Sequence, residues 1–219
     1  MPTRLLSIDP AARARFRPLL VLAAWYLAVG FGNRLLLWAV FGRDAGVSAA
    51  ALGWILPLGA IDDAVESLYL LAPFALFLWL CRDRWYRSAP MRTVLRTGLF
   101  AWTFALLFVA VAEYFFFDEF DARFNLVSVD YLMYPTEVAG DISGEYPVGW
   151  VLLGCALFAL LSSLWLARHL IRSAELPARF HQRSRPMLGV GLASGLLVTF
   201  FSTNTLGLSG NRVANELVA

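Results

Sequence analysis

The sequence predicts an all-α membrane protein, a polytopic bundle of five transmembrane helices with its N-terminus in the cytoplasm and its C-terminus outside. Three observations predict it. The 219 residues are 59% hydrophobic and only 16% charged, too apolar for a soluble domain. Several windows hold the roughly 20 apolar residues that a spanning helix needs, and no alternating pattern of barrel strands is visible. The charges are segregated, with Arg-rich connections alternating with acid-rich ones, as the positive-inside rule requires of a multi-pass chain.

Taken in order, Arg4, Arg13, Arg15 and Arg17 precede an apolar run over 18–41. The run is too long for a signal-peptide core and reads as an uncleaved first span. Arg34 falls near its far end, where it either snorkels to lipid phosphates or meets a carboxylate from another helix. The next apolar stretch, 47–61, is short and interrupted by Gly53, Pro57 and Gly59. It is expected to be interfacial or re-entrant, because an additional crossing here would put the arginines of 82–96 outside.

The second span is expected at 64–81, with Pro73 as a tolerated kink. Asp62, Asp63 and Glu66 then stand at its outer mouth, favoured by the helix dipole or serving to hold a cation or pair with Arg34. The loop with Arg82, Arg84, Arg87, Arg92 and Arg96 is cytoplasmic, and Trp85 and Tyr86 fit an interfacial belt. The third span, 97–117, contains a single ionisable residue, Glu113, about one turn from its end. That carboxylate is either paired with Arg34 or Arg123 or functional.

A fourth span over 148–167 ends in Arg168, His169 and Arg172. A fifth over 187–203 carries Gly191-x-x-x-Gly195, which permits close helix approach. Together 1–203 make one transmembrane domain, and 204–219 begin a polar extracytoplasmic linker. Cys81 and Cys155 fall at different depths in these spans, so neither a disulfide nor a thiolate metal site is expected.

Between the third and fourth spans lies the most distinctive stretch, 113–147, E-Y-F-F-F-D-E-F-D-A-R-F-N-L-V-S-V-D-Y-L-M-Y-P-T-E-V-A-G-D-I-S-G-E-Y-P. Its carboxylates, tyrosines and turn residues exclude it from hydrocarbon. Helix-like spacing of Phe124, Val127, Tyr131 and Val138 predicts an outer-face loop helix over about 124–142, broken at Pro135 and lying at headgroup depth. Candidate lipid- or domain-contacting residues are Arg34, Asp62, Glu113, Arg123, Asn125, Asp130, Tyr131, Tyr134 and Glu137.

Chemistry is sparse. No Ser-His-Asp set, H-E-x-x-H, cysteine cluster or glycine-rich phosphate loop is present, so no catalytic and no metal-ligating residue is assigned. All 18 basic residues are Arg, but no basic stripe interleaved with aromatics suggests nucleic acid.

The run R-F-N at Arg123–Asn125, V-D-Y-L at Val129–Leu132, Glu137-Val138 and Tyr146-Pro147 resembles the extracytoplasmic loop of bacterial lipoteichoic acid synthase-like proteins. These are membrane-anchored phosphoglycerol and phosphoethanolamine transferases of the alkaline phosphatase and sulfatase superfamily. The five-span plan is similar too, and Asn215-Glu216-Leu217 resembles the linker before their outer domain.

The resemblance implies a bacterial cytoplasmic (inner) membrane location and membrane phospholipids as partners. It also implies an extracytoplasmic catalytic domain, its own or separate, which holds the threonine nucleophile and a divalent metal, manganese or magnesium. No position in this chain matches those catalytic residues, and no cofactor is assigned to it. Its implied role is to anchor and orient that domain over the outer leaflet. The alternative is a stand-alone membrane protein that binds a lipid or protein partner through 118–147. A small transporter is disfavoured on the expectation that the charges lie near the helix ends.

Overall fold

The computed structural model describes residues 9–124, 144, 146–173 and 177–203. Among these residues the regular structure is entirely helical. The helices are α1 (Pro10–Leu37), α2 (Leu52–Leu80), α3 (Asp83–Tyr86), α4 (Ala89–Phe120), α5 (Val148–Ser173) and α6 (Phe180–Thr203). α1 runs on into a π-helical turn, Trp38–Gly42, and a 3-10 turn, Ala49–Ala51, leads into α2. Among the described residues, four helical stretches are long and apolar enough to cross a membrane: Pro10–Gly42, Ala49–Leu80, Ala89–Phe120 and Val148–His169. The expected fifth span, 187–203, lies within α6, just past Pro186 inside that helix.

One expectation is overturned. The segment 47–61 is not a separate interfacial or re-entrant piece; from Leu52 onward it is the first part of α2, a single helix of 29 residues. The apolar helical stretch here is therefore Ala49–Leu80, and it contains all but the last residue of the expected span 64–81. Pro57 removes one hydrogen bond to the carbonyl of Gly53, and an interior proline costs about 3 kcal/mol. At membrane depth, breaking the helix there would leave several backbone groups unsatisfied, which costs more. The charge rule excludes an additional crossing, and it is equally satisfied by lengthening the helix that follows.

This shift relocates the acids. Asp62, Asp63 and Glu66 are not at a helix mouth but in the middle of α2. Any stretch of about 20 residues placed within Leu52–Leu80 contains Ile61–Leu71. A crossing centred on α2 holds all three carboxylates at hydrocarbon depth, whereas one that ends at Leu80 leaves Asp62 and Asp63 at its edge.

The chain forms two compact units, and α1, α2, α4 and α5 each contribute to both. In the unit made of 1–27, 63–99 and 163–207, the C-terminus of α2 is the organising feature. Its last carbonyls have no partner within the helix. Arg15 of α1 donates from Nε to Leu78 O at 3.1 Å and from Nη2 to Cys81 O at 2.8 Å. Arg183 of α6 donates from Nη1 to the same Cys81 O at 2.5 Å and to Leu78 O at 3.5 Å. Both arginines are buried, 2% and 5% exposed, and their charge opposes the negative end of the helix dipole.

Other contacts hold this cap in place. The Arg15 guanidinium lies 3.5 Å over the Tyr86 ring and 3.6 Å from Asp83 Oδ1, while Asp83 Oδ2 accepts the Ala178 N–H at 2.9 Å. Asp9 caps α1 through the Ala11 N–H at 2.8 Å, ahead of Pro10 at the first helical position. Asp9 Oδ2 also accepts from Gln182 Nε2 at 2.8 Å. Gln182 Oε1 in turn accepts the Arg179 N–H at the start of α6, half of a capping box. Trp79 Nε1 donates to Ser184 Oγ at 3.0 Å and its ring stacks on Phe180.

The unit made of 28–62, 100–162 and 208–219 is built on an apolar cluster of Leu37, Val47, Ile55 and Phe117. Phe41 packs its ring against Tyr114 and Phe117 at centroid distances of 5.4 and 5.2 Å. The connection 43–48 turns back through Gly46, whose φ of +77° suits glycine. Trp38 Nε1 closes it by donating to Val47 O at 3.1 Å.

Two outcomes test this architecture. Single cysteines at Ile61 and Ala64 are expected to resist a water-soluble maleimide in intact membranes, as a continuous α2 requires; a re-entrant 47–61 would label readily. Because Arg15 and Arg183 share both acceptors, each single alanine variant is expected to cost about 1.5–3 kcal/mol in detergent unfolding. The double variant should lose more than the two combined, since neither arginine then covers for the other.

Candidate functional site

The residue types that carry chemistry converge on a buried carboxylate near the end of α4. Glu113 is 7% exposed and accepts three hydrogen bonds. Arg123 donates from Nε to Oε1 at 2.5 Å and from Nη2 to Oε2 at 3.2 Å, a two-pronged pair. Asn33 of α1 donates from Nδ2 to Oε2 at 2.6 Å. Of the two partners the sequence offers Glu113, the structure shows this pairing with Arg123, and Asn33 is a donor that sequence reasoning passed over.

Local chain geometry brings Arg123 there. α4 ends at Phe120, and Asp121 takes a left-handed conformation with φ +51°, which aspartate tolerates better than most residues. The chain then doubles back on the helix it has just left. Ala122 is buried, and Phe116 meets Phe120 at 4.6 Å and Phe124 at 5.2 Å between ring centroids. Arg123 thereby reaches a carboxylate ten residues earlier in the chain.

Next to Asn33, Arg34 is 1% exposed, so it does not snorkel to lipid phosphates. It lies flat against α2 at Gly59. A Cβ built on Gly59 would fall 2.8 Å from Arg34 Cδ, 2.5 Å from Cζ and closer still to Nε. Glycine here is a space requirement, because only a bare backbone admits the guanidinium. The glycine that marks 47–61 as broken in the sequence is thus the residue that accommodates a buried cation.

The remaining candidates fall elsewhere. Asp62 lies on α2, three residues beyond Gly59, and is half-buried. Asn125, Asp130, Tyr131, Tyr134 and Glu137 lie outside the described residues, as do the expected loop helix beyond Phe124 and the linker 204–219. Tyr146 is described, and its ring packs on Phe115 at 4.6 Å.

In the other unit, the Tyr26 hydroxyl donates to Glu66 Oε2 at 2.6 Å. That pair, with Arg15 and Arg183, was missed in the sequence because arginines in loops and acids near an assumed helix end are read as markers of topology. One signal was available: Asp83 is a single acid among the arginines of 82–96, as a buried partner for one of them would be. The mid-helix acids also remove the ground on which a transporter was set aside.

No three His, Cys, Asp or Glu side chains come together as a metal site among the described residues. The donor set at Glu113, one carboxylate already engaged by an arginine and an amide, does not fit a divalent cation. What the arrangement does chemically is neutralise a buried charge and bind the chain just after α4 back onto that helix. The chain matches no protein-family model, no curated protein and no solved structure.

Two glycines separate space from helix propensity. Gly53→Ala, where a Cβ meets nothing within 4 Å, is expected to be neutral or to stabilise by up to about 1 kcal/mol. Gly59→Ala should destabilise despite the same gain in propensity, read as a lower unfolding midpoint in detergent. Glu113→Ala strands Arg123 and is expected to cost about 3–5 kcal/mol, whereas Arg123→Ala leaves Asn33 on the carboxylate and should cost less.

Proposed function

We propose that this chain is the membrane part of a lipoteichoic acid synthase-like transferase in a bacterial cytoplasmic membrane. It carries five spans with the N-terminus inside and the C-terminus outside. Its role is to hold an outer segment, and with it an extracytoplasmic catalytic domain, against the leaflet that contains the phospholipid donor. The group moved would be phosphoglycerol or phosphoethanolamine.

The observation that carries this reading is the contact between Arg123 and Glu113. Arg123 opens the R-F-N run on which the resemblance rests, and the contact binds that run to α4 near the end of an apolar helix. A segment held so close to the bilayer is suited to meet lipid headgroups. Alternation of Arg-rich and acid-rich connections supports the orientation, and the helical stretch 187–203 supports the fifth span. The implied metal belongs to the catalytic domain, and no residue of this chain is assigned to it.

Two measurements test the proposal. Reporter fusions are expected to place Trp85 and Ala178 inside and Gly144 and the C-terminus outside. In membranes of cells that make the protein, release of diacylglycerol from labelled phosphatidylglycerol or phosphatidylethanolamine should fall severalfold in a variant combining Arg123→Ala, Asn125→Ala and Asp130→Ala. Unchanged release at equal expression would overturn the transferase reading and favour a stand-alone interaction protein.

A further inference from the structure

Glu66 is out of place on a lipid-facing helix. It is the middle residue of α2, Leu52–Leu80, and Tyr26 is the middle residue of the apolar stretch Pro10–Gly42. Their hydrogen bond at 2.6 Å therefore joins two apolar helices at their midpoints, which a symmetric crossing puts at mid-depth. Asp63, on the next turn of α2, is 3% exposed, whereas Glu66 is exposed.

The exposure continues along the same flank. Tyr69, Leu70, Pro73, Leu76 and Leu80 follow Glu66 at helical spacing and are all exposed, Tyr69 and Leu80 at 59%. Acidic side chains within spans face protein or a water-filled cavity, and pair. A flank that presents a carboxylate and a phenol one turn apart, at this depth, is not made for acyl chains.

We propose that the Glu66 flank of α2 is the docking surface for a transmembrane helix of a different polypeptide, one that brings a lysine or arginine to mid-bilayer depth. Charge complementarity selects the occupant. A second copy of this chain supplies no such cation from its candidate spans. Arg13, Arg15, Arg17, Arg92, Arg96 and Arg168 lie toward span ends, and Arg34 is buried against Gly59. Symmetric pairing of two copies through this flank would instead oppose two Glu66 carboxylates. The inference stands apart from the proposed transferase role, which rests on Arg123 and not on α2.

A photo-crosslinking residue at Tyr69 in the full chain, activated in native membranes, tests it. The expected result is an adduct with one other polypeptide, through a membrane-spanning peptide with a lysine or arginine within a turn of the cross-link. Glu66→Gln, nearly isosteric, should lower its yield severalfold, while Tyr26→Phe, which removes only the internal donor, should preserve it. Glu66→Lys combined with the partner's basic residue changed to Glu should restore it. Adducts confined to phospholipid or to a second copy, a yield indifferent to Glu66→Gln, or ready maleimide labelling of a cysteine at position 66 would each overturn the proposal. Headgroup release need not change in any of these variants, so the two proposals fail separately.

Discussion

Satisfying polar groups where water is absent is the constraint from which the rest of this structure follows. Unpaired backbone groups cost several kcal/mol each in hydrocarbon, so α2 continues through Pro57 instead of stopping there. An unpaired charge costs more, so Glu113 is held by three donors, and buried Arg34 is fitted against α2 at Gly59, where a side chain is missing. Apolar contacts such as Phe41 on Tyr114 and Phe117 fill the space between these fixed points. They are not directional, and alone they would leave helix register loosely defined.

Arginine has two functions in this chain. Segregation of Arg-rich connections orients a multi-pass protein during insertion. Arg15 and Arg183 then do something that the orientation rule does not require: they are buried at the C-terminus of α2 and bind its last carbonyls. The planar guanidinium suits this, with several donors fixed in a fork and a face that stacks on Tyr86. A lysine at either position would keep the charge and lose the fork, and at position 15 it would also lose the stacking on Tyr86.

The turn after α4 fixes the direction in which the chain leaves that helix. Asp121 reverses the chain, Phe124 returns to Phe116, and Arg123 returns to Glu113. Asn33 joins the same carboxylate from α1, so the position of this turn is coupled to the packing of two helices.

The sequence by itself determined the helical class, four of the apolar helices and the segregation of charge, and it singled out Glu113, Arg34 and Arg123 as charges in or beside apolar runs. These are legible because helix length, apolarity and the rarity of a charge in an apolar run are properties of neighbouring residues. Tertiary structure alone decided that 52–61 belongs to α2, that Asp62, Asp63 and Glu66 lie in mid-helix, and that Gly59 makes room for Arg34. It alone decided that Arg15 and Arg183 converge on Leu78 and Cys81. Each of those depends on which helix lies opposite, across separations of up to about a hundred residues, and local pattern holds no record of that.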